Sequence, residues 1–285
     1  MDFTVFWTAA RFDGPVYDVH ALTAAQLGRL PQNWTLRPFP YPPSTLLLIK
    51  PLALLPYWPA LLLWTAAGIA AFAAGAMTLG RRALAALAML PVGMAMLAGQ
   101  MSLFIGGAIS GAVGLLAKNE VAAGLLFGLA AAAKPQSVLL VPVSLLAGRH
   151  WRALAASVVA LVLIVLASLC LGTHLWLDWI HAMPQFVEQT SRPPYRELNI
   201  ALGPAYAPIG IALVAVTFWR VRSPSVRLLA LSVGQFLCVP YMLIYDLTAA
   251  CPAIAALALA PLEKLLPTEK PVRELRPLAP CAPAQ

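Results

Sequence analysis

The chain has 285 residues, of which 61% are hydrophobic and 11% are charged, and its mean hydropathy is +0.80. A soluble domain is about half apolar and about a quarter charged, so this composition excludes an ordinary water-soluble protein and predicts an all-α integral membrane protein. The net charge is +8, but the basic residues are scattered between apolar runs, and we expect no nucleic-acid partner. The four cysteines form no Cys-x-x-Cys pair, so we expect no metal site and no cofactor.

The first 43 residues predict a polar loop, because the segment that carries Asp2, Asp13 and Asp18 is too polar to span a membrane. Asp13 lies in the sequence RFDGPVYD, which is typical of a turn. Asp18 precedes a predicted helix over residues 20–30. It is a candidate either to cap that helix or to bind hydroxyl groups of a substrate.

Nine apolar segments follow this loop and predict about nine membrane spans. The clearest is 57–79, whose 23 residues carry no charge and are long enough to cross about 30 Å of hydrocarbon. The other eight are 83–97, 102–117, 121–133, 137–147, 153–171, 203–219, 228–244 and 247–262. The spacings Gly107-x-x-x-Gly111 and Gly124-x-x-x-Gly128 favour close packing of helices.

The distribution of Lys and Arg predicts the orientation of these spans. If Arg81 and Arg82 lie inside and the nine segments alternate, 12 of the 19 basic residues fall on the inner side, as the positive-inside rule requires. This orientation places residues 1–43 and the loop 172–202 on the outer side of a membrane domain that covers 44–262. The tail 263–285 is rich in Pro and charge, and we expect it to be disordered and cytoplasmic.

Two polar residues stand out at the outer ends of spans, Gln100 and Lys134. Lys134 lies between 13 and 11 apolar residues. It is a candidate either to snorkel to the interface or to bind a phosphate group. Pro135 would break the helix there and free carbonyl groups to line a pocket. Gln100 could meet hydroxyl groups of a substrate or satisfy backbone groups at a turn.

The outer loop 172–202 begins with a predicted amphipathic helix at the membrane interface. Its polar face carries His174, Asp178, His181, Gln185 and Glu188, and its apolar face carries Leu175, Trp179, Met183 and Phe186. His174, Asp178 and His181 could form a metal-binding face, although a solvated polar face needs the same pattern. Either His181 or His174 is also a candidate for contact with a substrate.

Four segments in order carry a resemblance to a known family: DFTVFWTAARFDGPVYD, FPYPPSTLLLIKPLALLPYWPALLLW, LAGQMSLFIGGAISGAVGLL and AAGLLFGLAAAAKPQSVLLVPVSLLAGRHWRAL. Together they resemble glycosyltransferase family 87, which consists of GT-C membrane enzymes that use polyprenyl-phosphate sugars. The resemblance implies an acidic catalytic residue in the first outer loop, and Asp2 matches that position. Family members carry a helix before the Asp-Phe pair, so we expect the natural polypeptide to begin upstream of Met1 with an apolar helix of about 20 residues.

The resemblance implies an inverting transfer of a hexose or pentose from a polyprenyl-phosphate donor to an envelope glycan or glycolipid. We expect it on the outer face of the bacterial inner membrane. Asp2 would be the general base, with Asp13 and Asp18 as alternatives, and Lys134 with Arg192 or Arg196 would hold the phosphate. The predicted substrate-binding residues are Asp18, Gln100, Lys134, Gln136, His181, Arg192, Arg196 and Asn199. The alternatives are a flippase or transporter of lipid-linked sugars and a non-catalytic protein of envelope assembly.

Overall fold

The computed structural model describes residues 2–27, 37–193 and 195–260. These ranges are helical and contain no β-strand, which confirms the predicted all-α class. The α-helices are α1 (Phe3–Arg11), α2 (Val19–Gln26), α3 (Pro43–Ile49), α4 (Tyr57–Met77), α5 (Leu90–Ala98), α6 (Ser102–Leu115), α7 (Glu120–Ala133), α8 (Val141–Ala147), α9 (Trp151–Ser168), α10 (His174–Thr190), α11 (Tyr195–Leu198), α12 (Ala207–Arg220), α13 (Pro224–Cys238) and α14 (Cys251–Ala258). The tail 263–285, predicted to be disordered, and residues 28–30 of the predicted helix 20–30 lie outside the described residues.

Within the described residues, two helices are long and apolar enough to cross a membrane. They are α4, which agrees with the segment predicted at 57–79, and α9, which a 3₁₀ turn extends to Leu171. The 3₁₀ helix Arg81–Ala88 and α5 form a third candidate, bent by 63°. Prolines explain many of the breaks, because proline lacks an N–H donor and is tolerated in the first turn of a helix. The other predicted segments contain shorter helices, and the count of nine spans stays a prediction.

Glycines bring the helices of the bundle into close contact. A Cβ atom on Gly107 of α6 would lie 2.5 Å from the carbonyl oxygen of Ala71 in α4. On α7, a Cβ on Gly124 would lie 2.3 Å from the carbonyl oxygen of Ala153, and one on Gly128 would lie 2.6 Å from that of Ser157. The predicted use of these spacings for helix packing is confirmed, since any larger residue would push α6 from α4 or α7 from α9.

The segment predicted as an outer loop begins with a helix that belongs to the core. All residues of α1 except Arg11 are buried. The indole Nε1 of Trp7 donates to the carbonyl of Leu55 at 3.1 Å, and the ring of Phe6 lies 5.7 Å from that of Trp64. This packing fixes α1 against α4 and thereby places Asp2, at the start of α1, at one end of the bundle.

Helix α10 confirms the predicted amphipathic helix. Phe186 is buried, and Leu175, Trp179 and Met183 pack against the core. All five residues of the predicted polar face are exposed. Trp179 also donates its indole N–H to the carbonyl of Pro40 at 3.2 Å, so α10 lies over the segment that precedes α3.

Candidate active site

A cavity of about 890 Å³ opens where several helix ends meet. Gln100 follows the end of α5, Lys134 follows the end of α7, and Pro240 lies just beyond α13. The charged residues on its wall are Asp2, Arg37, Lys134, Arg196 and Asp246. Apart from these, the wall is largely apolar, which is typical of a ligand pocket with a few polar groups that fix orientation.

Asp2 lies on this wall and contacts two other polar side chains. Gln100 donates its Nε2 to Asp2 Oδ2 at 2.5 Å, and Arg37 Nη1 lies 3.7 Å from Asp2 Oδ1. The side chain of Asp2 is 33% exposed, whereas that of Arg37 is 7% exposed. The carboxylate is therefore held on two sides and remains accessible from the cavity.

The turn that presents Gln100 depends on Gly99. Its φ of 63° lies in the left-handed region, where glycine ends α5 without steric cost. A Cβ at this position would lie 2.7 Å from the Cβ of Phe3, the neighbour of Asp2. The Gly99 carbonyl accepts a hydrogen bond from Trp64 Nε1 at 3.0 Å. The close approach of the two backbones brings Gln100 to Asp2.

Arg37 is held by α2 through its backbone. Its N–H donates to Thr23 Oγ1 at 3.0 Å, and Gln26 Nε2 donates to its carbonyl at 3.3 Å. Burial lowers the pKa of Arg37, and the negative charge of Asp2 opposes that shift. A guanidinium remains protonated in proteins, so this group is a fixed positive charge beside Asp2.

Lys134 ends α7, and two hydroxyl groups of α3 hold that end in place. Ser44 and Thr45 donate to the carbonyls of Ala132 and Ala133, which otherwise would lack intrahelical partners. The backbone of Lys134 leaves the helical region, with φ of −150° and ψ of 79°, and the following proline disfavours a helical conformation at this residue. Its ammonium group is thereby directed away from the helix axis and toward the cavity wall.

Lys134 Nζ forms an ion pair and hydrogen bond with Asp246 Oδ1. Asp246 also accepts a hydrogen bond from Ser102 Oγ at 3.1 Å and one from the N–H of Leu243 at 3.2 Å. The two charged side chains are only 10% and 12% exposed. The pair joins the end of α7 to the start of α6 and to the 3₁₀ helix Ile244–Ala249.

Comparison with protein families finds one match, to the model described as Glycosyltransferase family 87, over residues 39–245. The chain belongs to glycosyltransferase family 87. This confirms the resemblance and makes the protein a membrane glycosyltransferase. The matched region contains Gln100 and Lys134, whereas Asp2 and Arg37 precede it and Asp246 directly follows it. Neither curated proteins nor solved structures yielded a match.

Six of the predicted site residues of this glycosyltransferase line the cavity. They are Asp2, Gln100, Lys134, Gln136, Arg196 and Asn199. The Asn199 side chain connects two loops, because it donates to the carbonyl of Pro240 at 3.1 Å and accepts from the N–H of Met242 at 3.0 Å. The carbonyl of Gln136 accepts a hydrogen bond from Gln235.

Three other predicted site residues lie off the cavity wall. Asp18 caps α2, because its Oδ1 accepts from the N–H groups of His20 and Ala21 at 2.9 and 3.1 Å. Its binding of substrate hydroxyl groups stays a prediction. His181 is exposed on the polar face of α10. Arg192 is exposed and pairs with Glu188 one turn earlier on the same helical segment.

Arg37 and Asp246 lie in the site, although the sequence assigned them no role. Asp246 lies between two apolar runs, and an ionisable residue there indicates function by default. Arg37 directly precedes a proline-rich segment and gives no comparable signal. Tyr41 is a third addition, because its hydroxyl donates to Gln100 Oε1 at 3.5 Å and burial raises its pKa well above the usual range, with Asp246 and Asp2 adding to the shift.

The alternative of a metal-binding face on α10 has no support in the described part of the chain. There, no group of three or more His, Cys, Asp or Glu side chains is arranged to hold a metal ion. The charged groups on the cavity wall are two carboxylates and three cations.

Proposed function

We propose that this protein is an inverting glycosyltransferase that moves a sugar from a polyprenyl-phosphate donor to a hydroxyl group of an envelope glycan or glycolipid. The observation that carries the proposal is the position of Asp2, an accessible carboxylate on the wall of a cavity that also presents Arg37, Lys134 and Arg196. The donor's phosphate is a good leaving group and needs no general acid. One carboxylate base and several cations are therefore sufficient.

The proposed step is a single displacement at the anomeric carbon. The acceptor oxygen forms a bond to that carbon while the bond from carbon to the phosphate oxygen breaks. Asp2 takes the acceptor proton, and polyprenyl phosphate leaves with the electron pair. Attack on the face opposite the phosphate inverts the anomeric configuration. A carboxylate has about four lone-pair sites, so Asp2 can accept this proton while it keeps its contacts with Gln100 and Arg37.

Asp246 is the other carboxylate on the wall, and its contacts favour Asp2 as the base. Asp246 accepts hydrogen bonds from Lys134, Ser102 and the N–H of Leu243, and its side chain is 12% exposed compared with 33% for Asp2. These three bonds occupy most of the roughly four lone-pair sites of the Asp246 carboxylate. Asp246 is better suited to hold Lys134 in place.

Lys134 and Arg196 are the proposed partners of the donor phosphate, together with Arg37, which the sequence did not predict. Arg196 rather than Arg192 takes this role, since only Arg196 of these two lines the cavity. Donor and acceptor hydroxyls meet neutral groups such as Gln136 and Asn199. Three cations against two carboxylates give the wall a net positive charge, which favours an anionic ligand.

The proposed location is the outer face of a bacterial inner membrane. Gln100 and Lys134 lie on the cavity, at the C-terminal ends of α5 and α7. Basic residues gather near the other ends of these helices, with Arg81 and Arg82 before α5 and Lys118 before α7. By the positive-inside rule, this distribution supports a cavity that opens away from the cytoplasm.

A transfer assay tests the proposal. The purified protein in lipid nanodiscs is given radiolabelled polyprenyl-phosphate hexoses and pentoses together with a membrane extract as acceptor. We expect labelled product in which the anomeric configuration is inverted, and loss of product with Asp2→Asn. Movement of intact donor across a vesicle membrane without transfer would instead identify a flippase.

A further inference from the structure

Two residues that line the cavity each carry a buried side-chain oxygen without a hydrogen-bond partner. Within the described ranges, four buried side-chain oxygens are unpartnered, and two of them, Gln189 Oε1 and Ser232 Oγ, belong to residues that line the cavity. Buried polar groups in proteins are almost always hydrogen-bonded, and each exception calls for an explanation such as a ligand. Both oxygens are shielded from solvent in this conformation, so a ligand in the cavity would become their partner after a rotation of either side chain toward it.

Ser232 differs from serines inside other helices of this protein. Ser110, Ser144, Ser157 and Ser168 each donate to a backbone carbonyl three or four residues earlier, at 2.6–2.8 Å. Ser232, inside α13, leaves this local bond unmade. Gln235, one turn later, also lines the cavity, but it donates to the carbonyl of Gln136 and accepts from the N–H of Leu140. On this helix, therefore, Gln235 is used for structure, whereas Ser232 has no hydrogen bond to lose if its side chain turns toward a ligand.

The wall that α10 and α13 contribute to the cavity is uncharged. Its residues are Trp179, Met183, Phe186, Val187, Gln189, Thr190, Leu231, Ser232 and Gln235. The five charged residues of the cavity come from other segments. An amide oxygen only accepts hydrogen bonds, whereas a hydroxyl both donates and accepts. This pair suits a neutral ligand that carries O–H groups, because such groups can donate to Gln189 Oε1 and both donate to and accept from Ser232 Oγ.

We propose that Gln189 and Ser232 form a binding subsite for the hydroxyl groups of an uncharged sugar ring, separate from the charged groups that would hold a phosphate. The inference rests on the proposed function, which it deepens by assigning sugar recognition to the α10 and α13 wall. The ring belongs either to the donor or to the acceptor, and the experiment distinguishes these two sources.

Direct binding tests the subsite without any requirement for transfer. The protein in nanodiscs is titrated with a panel of methyl hexopyranosides and pentopyranosides, and binding is followed by saturation-transfer NMR. We expect at least one glycoside to bind in a manner that inorganic phosphate does not compete with. Gln189→Leu and Ser232→Ala should each weaken this binding by about 3- to 10-fold, the effect of losing one hydrogen bond.

Matched controls separate recognition from folding. Ser157→Ala removes a helix serine, and Gln185→Leu removes an exposed glutamine of α10, and neither residue lines the cavity. Both should bind the glycoside as the wild type does. Ser232→Ala should have a melting temperature equal to or above that of the wild type, because it removes a buried hydroxyl without a partner.

The same variants identify the source of the ring in the transfer assay. A rise of the donor KM alone assigns the subsite to the donor sugar, and a rise of the acceptor KM alone assigns it to the acceptor. If no glycoside binds the wild type, if phosphate displaces it, or if the two variants bind as the controls do, the subsite does not exist. Glycoside binding that depends on both residues in a protein without transfer activity would overturn the proposed function and leave the subsite standing.

Discussion

Lys134 and Asp246 are 112 residues apart in the sequence and form an ion pair on the cavity wall. Both side chains are at least 88% buried, so each charge depends on the other and on its hydrogen bonds for compensation. The pair holds the ammonium group of Lys134 at the cavity wall, where it could contact a phosphate group in addition to Asp246. It also makes the C-terminal end of α7 dependent on the segment before α14.

Removal of both members of this pair should cost less than the sum of the two single removals. Lys134→Gln and Asp246→Asn each leave a buried group without its partner, and we expect each to destabilise the protein by about 3–5 kcal/mol. In the double variant, the loss in free energy of unfolding should be about 1–3 kcal/mol smaller than the sum of the two single losses. Thermal and denaturant unfolding of all four proteins in one detergent measures this coupling. Additive effects would show that the two residues act independently.

Lys134 should also affect the donor more than the acceptor. If it binds the donor phosphate, Lys134→Gln raises the donor KM while the acceptor KM changes little. Lys134→Arg should restore binding only in part, because a planar guanidinium fits the site of an ammonium group poorly. Steady-state kinetics against both substrates provide the measurement. The charge-matched control is Lys118→Gln, because Lys118 is exposed and lies off the cavity wall. An unchanged donor KM in Lys134→Gln would show that Lys134 has a purely structural role.

Asp2→Asn should abolish most of the activity without unfolding the protein. The amide can still accept a hydrogen bond from Gln100, but it cannot take a proton, so we expect kcat to fall by about 10²–10⁴. Asp13→Asn, at an exposed loop position off the cavity wall, should behave as the wild type. Retained activity in Asp2→Asn, combined with its loss in Asp246→Asn, would transfer the role of the base to Asp246.

Gly99→Ala should impair both stability and transfer. A methyl group at φ of 63° is strained, and it would lie 2.7 Å from the Cβ of Phe3, so we expect a loss of about 1–3 kcal/mol. To relieve this contact, the turn at the end of α5 must move away from Phe3, and Gln100 then moves away from Asp2. Gly93→Ala is the control, because nothing lies within 4 Å of its Cβ position and alanine favours the helix by about 0.5–1 kcal/mol. Unfolding and activity of both variants can be measured together.

Tyr17 should make the protein sensitive to alkaline pH. Burial raises the pKa of Tyr17 above its usual value near 10, and Asp178 adds to the shift. A raised pKa stabilises the folded state fully below about pH 10. Above that pH the tyrosine of the unfolded chain loses its proton first, and the free energy of unfolding falls by up to about 1.4 kcal/mol per pH unit.

The variant Tyr17→Phe tests this account. It loses the hydrogen bond to the Tyr41 carbonyl at 3.0 Å and should be less stable than the wild type at pH 8, but the difference should shrink above pH 10. A constant difference between pH 8 and pH 11 would contradict this account.

The sequence by itself determined the helical class, the positions of most helices and the amphipathic face of α10. These properties depend on composition and on local periodicity, which act over one or two turns of chain. The glycine spacings on α6 and α7 were informative for the same reason, because a small residue at every fourth position creates a flat helix face whatever the partner helix is. Lys134 and Gln100 were also visible, since a polar residue at the end of an apolar run is conspicuous.

Only the tertiary structure decided which of these polar residues share a cavity. Asp2 meets Gln100 across 98 residues, and Lys134 meets Asp246 across 112. Such pairs depend on how the helix ends come together, which no local pattern encodes. Asp18 and Asp2 are acids of the same segment, yet one caps α2 at the surface and the other lines the cavity. The difference arises because α1 is buried among aromatic rings of α4, and that packing carries Asp2 to Gln100.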